Sequence, residues 1–277
     1  VSFSMEKALN MKWLCPYEYH PHIVPLNIGE QEEYAKISKQ LMSYLDPKTG
    51  TYSKDEIVER LLLKRKRIIH KAANKLDVFK QILRDEFKKR RNLKYTLVYV
   101  PEGIEPDYSQ VDVNEEDGED IRLINEYTRA VREVDDFIMV NQFTSGSSDR
   151  NSILEKYENG DIHVLTSMKC LDEGLDVPRS ELAIFCASTG NPRQFIQRRG
   201  RVLRLHNNKT HATIHDLVVI PNTDSNDTSY EMERNLLKTE LIRVADFASL
   251  AMNKTHSYKV LEDVLDFYKF NLNDLIN

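Results

Sequence analysis

Gln197-Arg198-Arg199-Gly200-Arg201-Val202-Leu203-Arg204 packs four arginines and a glutamine around one glycine. It follows Asn191-Pro192, and proline is favoured at the first position of a helix. At 3.6 residues per turn, Gln197, Arg201 and Arg204 fall on one helical face. Arginine offers a planar, permanently charged fork that fits phosphate oxygens. Such a face either sits in solvent as a basic surface or meets a polyanion. The residues upstream decide between the two.

Upstream lies Lys169-Cys170-Leu171-Asp172-Glu173-Gly174-Leu175-Asp176-Val177-Pro178. An apolar run, Ile162 to Leu165, precedes it, and another, Leu182 to Ala187, follows it. The order strand, D-E-G-x-D-x-P turn, strand, then Q-x-x-G-R-x-x-R resembles motifs V and VI of superfamily-2 helicases. Phe143 to Arg150, with the Ile153-Leu154 and Tyr157-Glu158-Asn159-Gly160-Asp161 that follow, resembles the segment these proteins carry before motif V. Lys94 to Gly103 resembles their motif IV strand. The resemblance covers residues 90 to 220 and is nearest to the XPB-like and restriction-type DNA translocases. It implies the second RecA-like domain of an ATP-driven nucleic-acid motor.

The resemblance also implies roles. Arg201 and Arg204 match the two family arginines that reach the γ-phosphate of ATP. Gln197 matches the residue that senses that phosphate, and Gly174 and Asp176 match the motif V pair near the nucleotide. Arg198 and Arg199 are then free to pair with Asp172 and Glu173. Ligands of open α/β sheets gather at the strand C-termini. The candidates for a grip on a nucleic-acid backbone are therefore Gly103, Ser145, Thr166, Ser167 and Lys169. Small polar side chains and free amides hold phosphates without reading bases. One departure stands out: Met168 occupies the position of the family's backbone-contacting threonine. With Trp13 as the lone tryptophan and no aromatic run, sequence-specific readout is not expected.

An ATPase of this class also needs a G-x-x-x-x-G-K-[ST] phosphate loop, and the sequence contains no Gly-Lys dipeptide. Of its Asp-Glu pairs, Asp55-Glu56 opens a helix, Asp85-Glu86 lies in a charged helix and Asp172-Glu173 belongs to the motif V turn. None reads as a magnesium box. The chain starts at Val1 rather than at methionine. The expectation is the C-terminal half of a longer motor, whose N-terminal RecA-like domain holds ATP and Mg2+. The alternative is an ATPase-dead helicase-like module that acts as a nucleic-acid or protein adaptor.

The 277 residues carry a net charge of −5, unusual for a nucleic-acid protein, but the charge is segregated. Residues 53–91 are strongly basic and residues 101–126 strongly acidic, so local fields differ from the total. No apolar run approaches the roughly 18 residues of a membrane span, and no signal peptide is visible. Cys15, Cys170 and Cys186 form no C-x-x-C pair. Reduced thiols and a cytoplasmic location are expected. Cys15 with His20 and His22 fits no standard zinc spacing, so no metal site is expected in this chain.

Three regions emerge: a linker and helical lead-in over 1–91, a RecA-like domain over 92–221 and a helical tail over 222–277. Residues 1–29 read as a linker or lead-in strand, with Pro16, Pro21 and Pro25 breaking any helix. Residues 30–45 read as an amphipathic helix, with Tyr34, Ile37, Leu41 and Leu45 on its stripe. Ser53 and Glu56 suggest a capping box for the next helix, which breaks near Asn74. Within it, Lys64-Arg65-Lys66-Arg67 reads either as a solvated face or as an electrostatic contact with a duplex or a partner domain. Alternating short apolar strands and helices follow. They predict an α/β fold: a doubly wound parallel sheet with helices on both faces.

Overall fold

The computed structural model describes residues 5–46, 51–53, 55–101, 116–144, 147, 149–168, 177–187, 192–222, 230–271 and 275. Within them the elements run α1 (Met5–Asn10), β1 (Tyr17–Pro25), α2 (Ile28–Met42), α3 (Glu56–His70), α4 (Asn74–Arg90), β2 (Thr96–Tyr99) and α5 (Glu116–Arg132). They continue β3 (Val140–Phe143), α6 (Arg150–Asn159), β4 (Val164–Ser167), β5 (Leu182–Phe185), α7 (Pro192–Val202), β6 (Ala212–Ile220), α8 (Tyr230–Ser249) and α9 (Lys254–Phe267). The described strands form one sheet in the order β1-β6-β5-β2-β4-β3, with every pairing parallel. This is the α/β architecture expected for a RecA-like domain.

Side chains alternate across the sheet with the period of two that a strand imposes. Leu97, Tyr99, Ala183 and Phe185 enter one core, with Tyr157 of α6, Phe195 of α7, Leu241 of α8 and Leu261 of α9. Val98, Val100, Leu182 and Ile184 enter the other, with Tyr34 of α2, Phe79 of α4 and Tyr127 of α5. Both faces are thus covered, which is why the central strands are apolar throughout.

Two local readings are corrected. The sheet reaches back into the segment read as a lead-in: β1 pairs with β6 from Tyr17↔Ala212 to Pro25↔Ile220. Pro21 is tolerated because β1 is an edge strand, where a missing N–H costs no ladder bond. The side-chain amide of Asn253 closes that edge, accepting from the Tyr19 N–H (2.8 Å) and donating to its C=O (2.9 Å). The capping box sits at α2 instead, where Asn27 and Glu30 bond each other's backbone N–H. Asp55, not Ser53, caps α3, accepting from the Ile57 N–H at 2.8 Å.

The basic run on α3 divides. Lys64, Lys66 and Arg67 are exposed, but Arg65 is only 4% exposed. Its guanidinium lies 3.5 Å from Glu233 and over the Tyr34 ring. Glu233 also accepts from Tyr34 Oη (2.5 Å) and Ser38 Oγ (2.7 Å). Arg65 therefore ties α3 to α2 and α8 and takes no part in a surface contact.

Candidate nucleotide and nucleic-acid site

Helix α7 begins at Pro192, as its missing N–H allows. Its inward stripe is Phe195, Arg198, Arg199 and Val202, all buried, at helical spacings of three and four. Phe195 meets Phe185 at 5.1 Å and Phe247 at 5.3 Å between ring centroids. Arg198 lies over the Tyr99 ring at 5.0 Å. Arg199 stacks on Phe247 at 3.8 Å and donates to Asp246 at 3.0 Å. Asp172 and Glu173, the partners expected for Arg198 and Arg199, lie outside the described residues; the carboxylate that Arg199 meets among the described residues comes from α8.

A second buried pair reinforces the contact with α8. Arg243 sits 3.7 Å above Phe195 and donates to Asp216 on β6 at 2.6 Å. It also bonds Glu240, while Tyr19 donates to the same Asp216 oxygen at 2.7 Å. Burial alone would lower the Arg243 pKa, but Asp216 and Glu240 outweigh it and the value rises. This buried cation is permanently charged, and both its terminal nitrogens are paired with carboxylates. It locks the inner side of α7.

The outward side is different. Gln197 is exposed, Gly200 and Arg201 are half-buried, and Arg204 is exposed. Helical counting places Gln197 and Arg201 together, but Arg204 lies beyond the end of α7 at Val202. Its N–H donates to the Arg201 carbonyl at 3.3 Å, a tightened last turn. Its backbone is held by an antiparallel bridge to Leu14. The Cys15 N–H donates to the Leu203 carbonyl at 2.8 Å. Sequence reasoning missed this second attachment, since it joins residues nearly the whole domain apart.

Gly103, Ser145, Lys169, Gly174 and Asp176 lie outside the described residues. The strands that precede them, β2, β3 and β4, all end at one edge of the parallel sheet. The chain order reverses between β2 and β5, whose neighbours lead to opposite sides, and ligands of open α/β sheets favour such a switch point. Two grip candidates are corrected. Thr166 and Ser167 are fully buried. Thr166 Oγ1 shares a 2.8 Å hydrogen bond with Thr128 Oγ1, and Ser167 Oγ donates to the Met168 carbonyl at 2.6 Å. Side chains spent on internal bonds cannot hold a phosphate.

One cluster escaped the sequence reading. His20 and His22 on β1 meet His215 on β6, with His22 Nε2 and His215 Nδ1 2.9 Å apart. His20 stacks on His215 at 5.0 Å, and Glu86 of α4 lies 3.5 Å from His215 Nε2. The alternation His20-x-His22 on a strand was the available signal. Burial and then the His215 charge push His22 down to about 3. Among the described residues no three His, Cys, Asp or Glu side chains are arranged to hold a metal ion. Cys15 lies apart from this cluster, buried beside Lys209. No described helix is long and apolar enough to cross a membrane.

Residues 115–206 match the helicase conserved C-terminal domain family. The DNA 3'-5' translocase XPB2 of Sulfurisphaera tokodaii is 40% identical over 67 residues, 24% of this chain and 15% of that protein. Dicer-like protein 2 of Pyricularia oryzae is 41% identical over 63 residues, 23% of this chain and 4% of that protein. The chain thus matches only a small part of these relatives' length. Among solved structures, the C-terminal part of the Fun30 ATPase domain overlays with a TM-score of 0.49 at 12% identity, covering 93% of this chain and 100% of that one.

Proposed function

We propose that this chain, which carries a superfamily-2 helicase C-terminal domain, is the arginine-finger half of an ATP-dependent DNA translocase or helicase. The observation that carries the reading is the two-sided character of α7. Arg198 and Arg199 turn inward onto aromatic rings, while Gln197, Arg201 and Arg204 remain on the solvent side or half-buried. A merely basic helix has no reason to divide its arginines so.

Phosphoryl transfer from ATP to water passes through a loose transition state with charge spread over phosphate oxygens. Catalysis is then positioning plus electrostatics. Arg201 and Arg204 would offer guanidinium donors to that charge, and Gln197 an amide. Gly174 and Asp176 would approach the nucleotide from the motif V segment. The donor set suits a triphosphate. By the resemblance to two-domain motors, Mg2+ and the bulk of ATP are assigned to an N-terminal RecA-like partner domain, and no step here runs through the metal. Gly103, Ser145 and Lys169 remain the proposed backbone grip, with Thr166 and Ser167 withdrawn. DNA is the proposed track because the relative from Sulfurisphaera tokodaii is named as a DNA translocase.

The test is hydrolysis by the full-length protein with duplex DNA, single-stranded DNA and RNA. Stimulation by DNA well above that by RNA is expected. Hydrolysis indifferent to every polynucleotide, or none at all, would contradict the reading.

A further inference from the structure

Lys209 is the lysine of the turn between α7 and β6, and it is nearly buried at 8% exposure. Its ammonium has three N–H donors and no acceptor. Three main-chain carbonyls receive them: Val202 at the end of α7, Arg204 at 3.1 Å and Pro178 at 3.3 Å. The first closes α7 and the second lies two residues beyond it, where unsatisfied carbonyls and the negative end of the helix dipole both attract a cation. The third belongs to the segment that follows Gly174 and Asp176 in the chain. A single side chain thus joins the exit of one candidate nucleotide-contacting segment to the backbone of the other.

Burying an ammonium is costly unless it is fully bonded. Burial pushes the Lys209 pKa down, so the site is maintained against a real desolvation penalty. Simple helix capping does not require it. Donation to the carbonyls at the end of α7 would suffice, and an exposed lysine donates to them more cheaply. The Pro178 contact is the extra feature. Together with the Leu14 bridge, it fixes the Arg204 main chain from two flanks.

We propose that Lys209 is a positioning residue for Arg204, coupling the placement of that arginine to the motif V segment. The inference rests on Arg204 acting as a finger. It assigns Lys209 no contact with ATP. Preorganised charge accelerates a reaction only when it is held in place, and a displacement of about 1 Å costs on the order of 10²-fold. Loss of Lys209 should therefore fall on turnover and spare nucleotide affinity.

The experiment uses the full-length protein and three variants: Lys209→Met, Lys209→Arg and Arg204→Ala. Lys209→Met keeps the stem and removes the donors. Its DNA-stimulated kcat should fall at least about tenfold, with ATP affinity and DNA affinity unchanged. Lys209→Arg, which keeps charge and donors, should recover most of the loss. Should Lys209→Met fail to fold, Lys209→Gln replaces it, with the same split expected. A folded Lys209→Met or Lys209→Gln with wild-type kcat would overturn the proposal. So would a loss that falls equally on ATP affinity, or one that Lys209→Arg does not relieve. Arg204→Ala separates the two layers. If it leaves kcat intact, the finger reading itself has failed. If it abolishes turnover while Lys209→Met does not, only the positioning role has failed.

Discussion

A methyl group placed on Gly200 would meet no atom within 4 Å. Nothing among the described residues asks for glycine there, yet glycine in a helix is less stable than alanine by up to about 1 kcal/mol. A close approach to α7 from beyond those residues would account for it. Gly200→Ala should leave thermal stability of the chain unchanged or raise it by a few degrees, while lowering DNA-stimulated hydrolysis of the full-length protein. Calorimetry and a turnover assay measure the two effects, and a stabilised variant with full turnover would contradict this. Arg65 shows the opposite case. It shares a run with three other cations, but Val58, Leu62 and Ile69 stand three to seven residues away on its own helical face. That phase was legible, and the run of charge hid it. Removing one partner of a buried ion pair costs about 3–5 kcal/mol. Arg65→Ala should destabilise on that scale in denaturant titrations, whereas Lys64→Ala, Lys66→Ala or Arg67→Ala should each change stability little. Comparable losses at all four positions would reject the distinction.

At the scale of elements, the sequence made the alternation of strands and helices plain because each strand is short, apolar and bounded by helical periodicity. It left β1 as one of two readings, a linker or a lead-in strand, and did not reveal its place in the sheet. The partner of that strand lies almost two hundred residues away, and Pro16, Pro21 and Pro25 argued locally only against a helix. The histidine seam between β1 and β6 follows from that hidden pairing and gives the sheet edge a pH dependence. His22 has a folded pKa of about 3, below the roughly 6.5 of an unfolded histidine. Its contribution to stability is therefore full above about 6.5 and is lost as pH falls towards 3. Burial lowers His20 in the same direction. Burial raises Glu86, but the hydrogen bond and charge of His215 prevail and its pKa ends lowered, so its contribution also fades in acid. Glu18, Asp85, Lys89 and Arg90 are the other charged groups that act on these residues, and His256 packs edge-on to His20. All three shifts carry one sign. The melting temperature should drop between pH 7.5 and pH 5, and His22→Gln should flatten that slope. An unchanged slope in the variant would show that the seam does not titrate against folding. The helix α8 offers a parallel lesson. Its apolar stripe was legible, but its role in holding α7 through Asp246 and Arg243 depends on contacts between distant residues.

At the scale of the whole molecule, one edge of the sheet collects the C-termini of all the described strands, and α7 stands beside the switch point between β2 and β5. The motif order pointed to this arrangement, since a strand, turn, strand and basic helix in sequence fold locally. The strand order could not be read from it, because crossovers to either side satisfy the same pattern. What the sequence misjudged was the share of the arginine string given to structure: half of its guanidinium groups are buried against Tyr99 and Phe247. The exposed remainder makes a direct claim about division of labour. Fingers act on charge that develops in the transition state, so their loss falls on turnover more than on binding. The decisive measurement is ATP affinity and DNA-stimulated kcat for Arg204→Ala in the full-length protein. The account predicts a fall in kcat on the order of 10³-fold with nucleotide affinity nearly unchanged. A loss of affinity in proportion to the loss of turnover would contradict it.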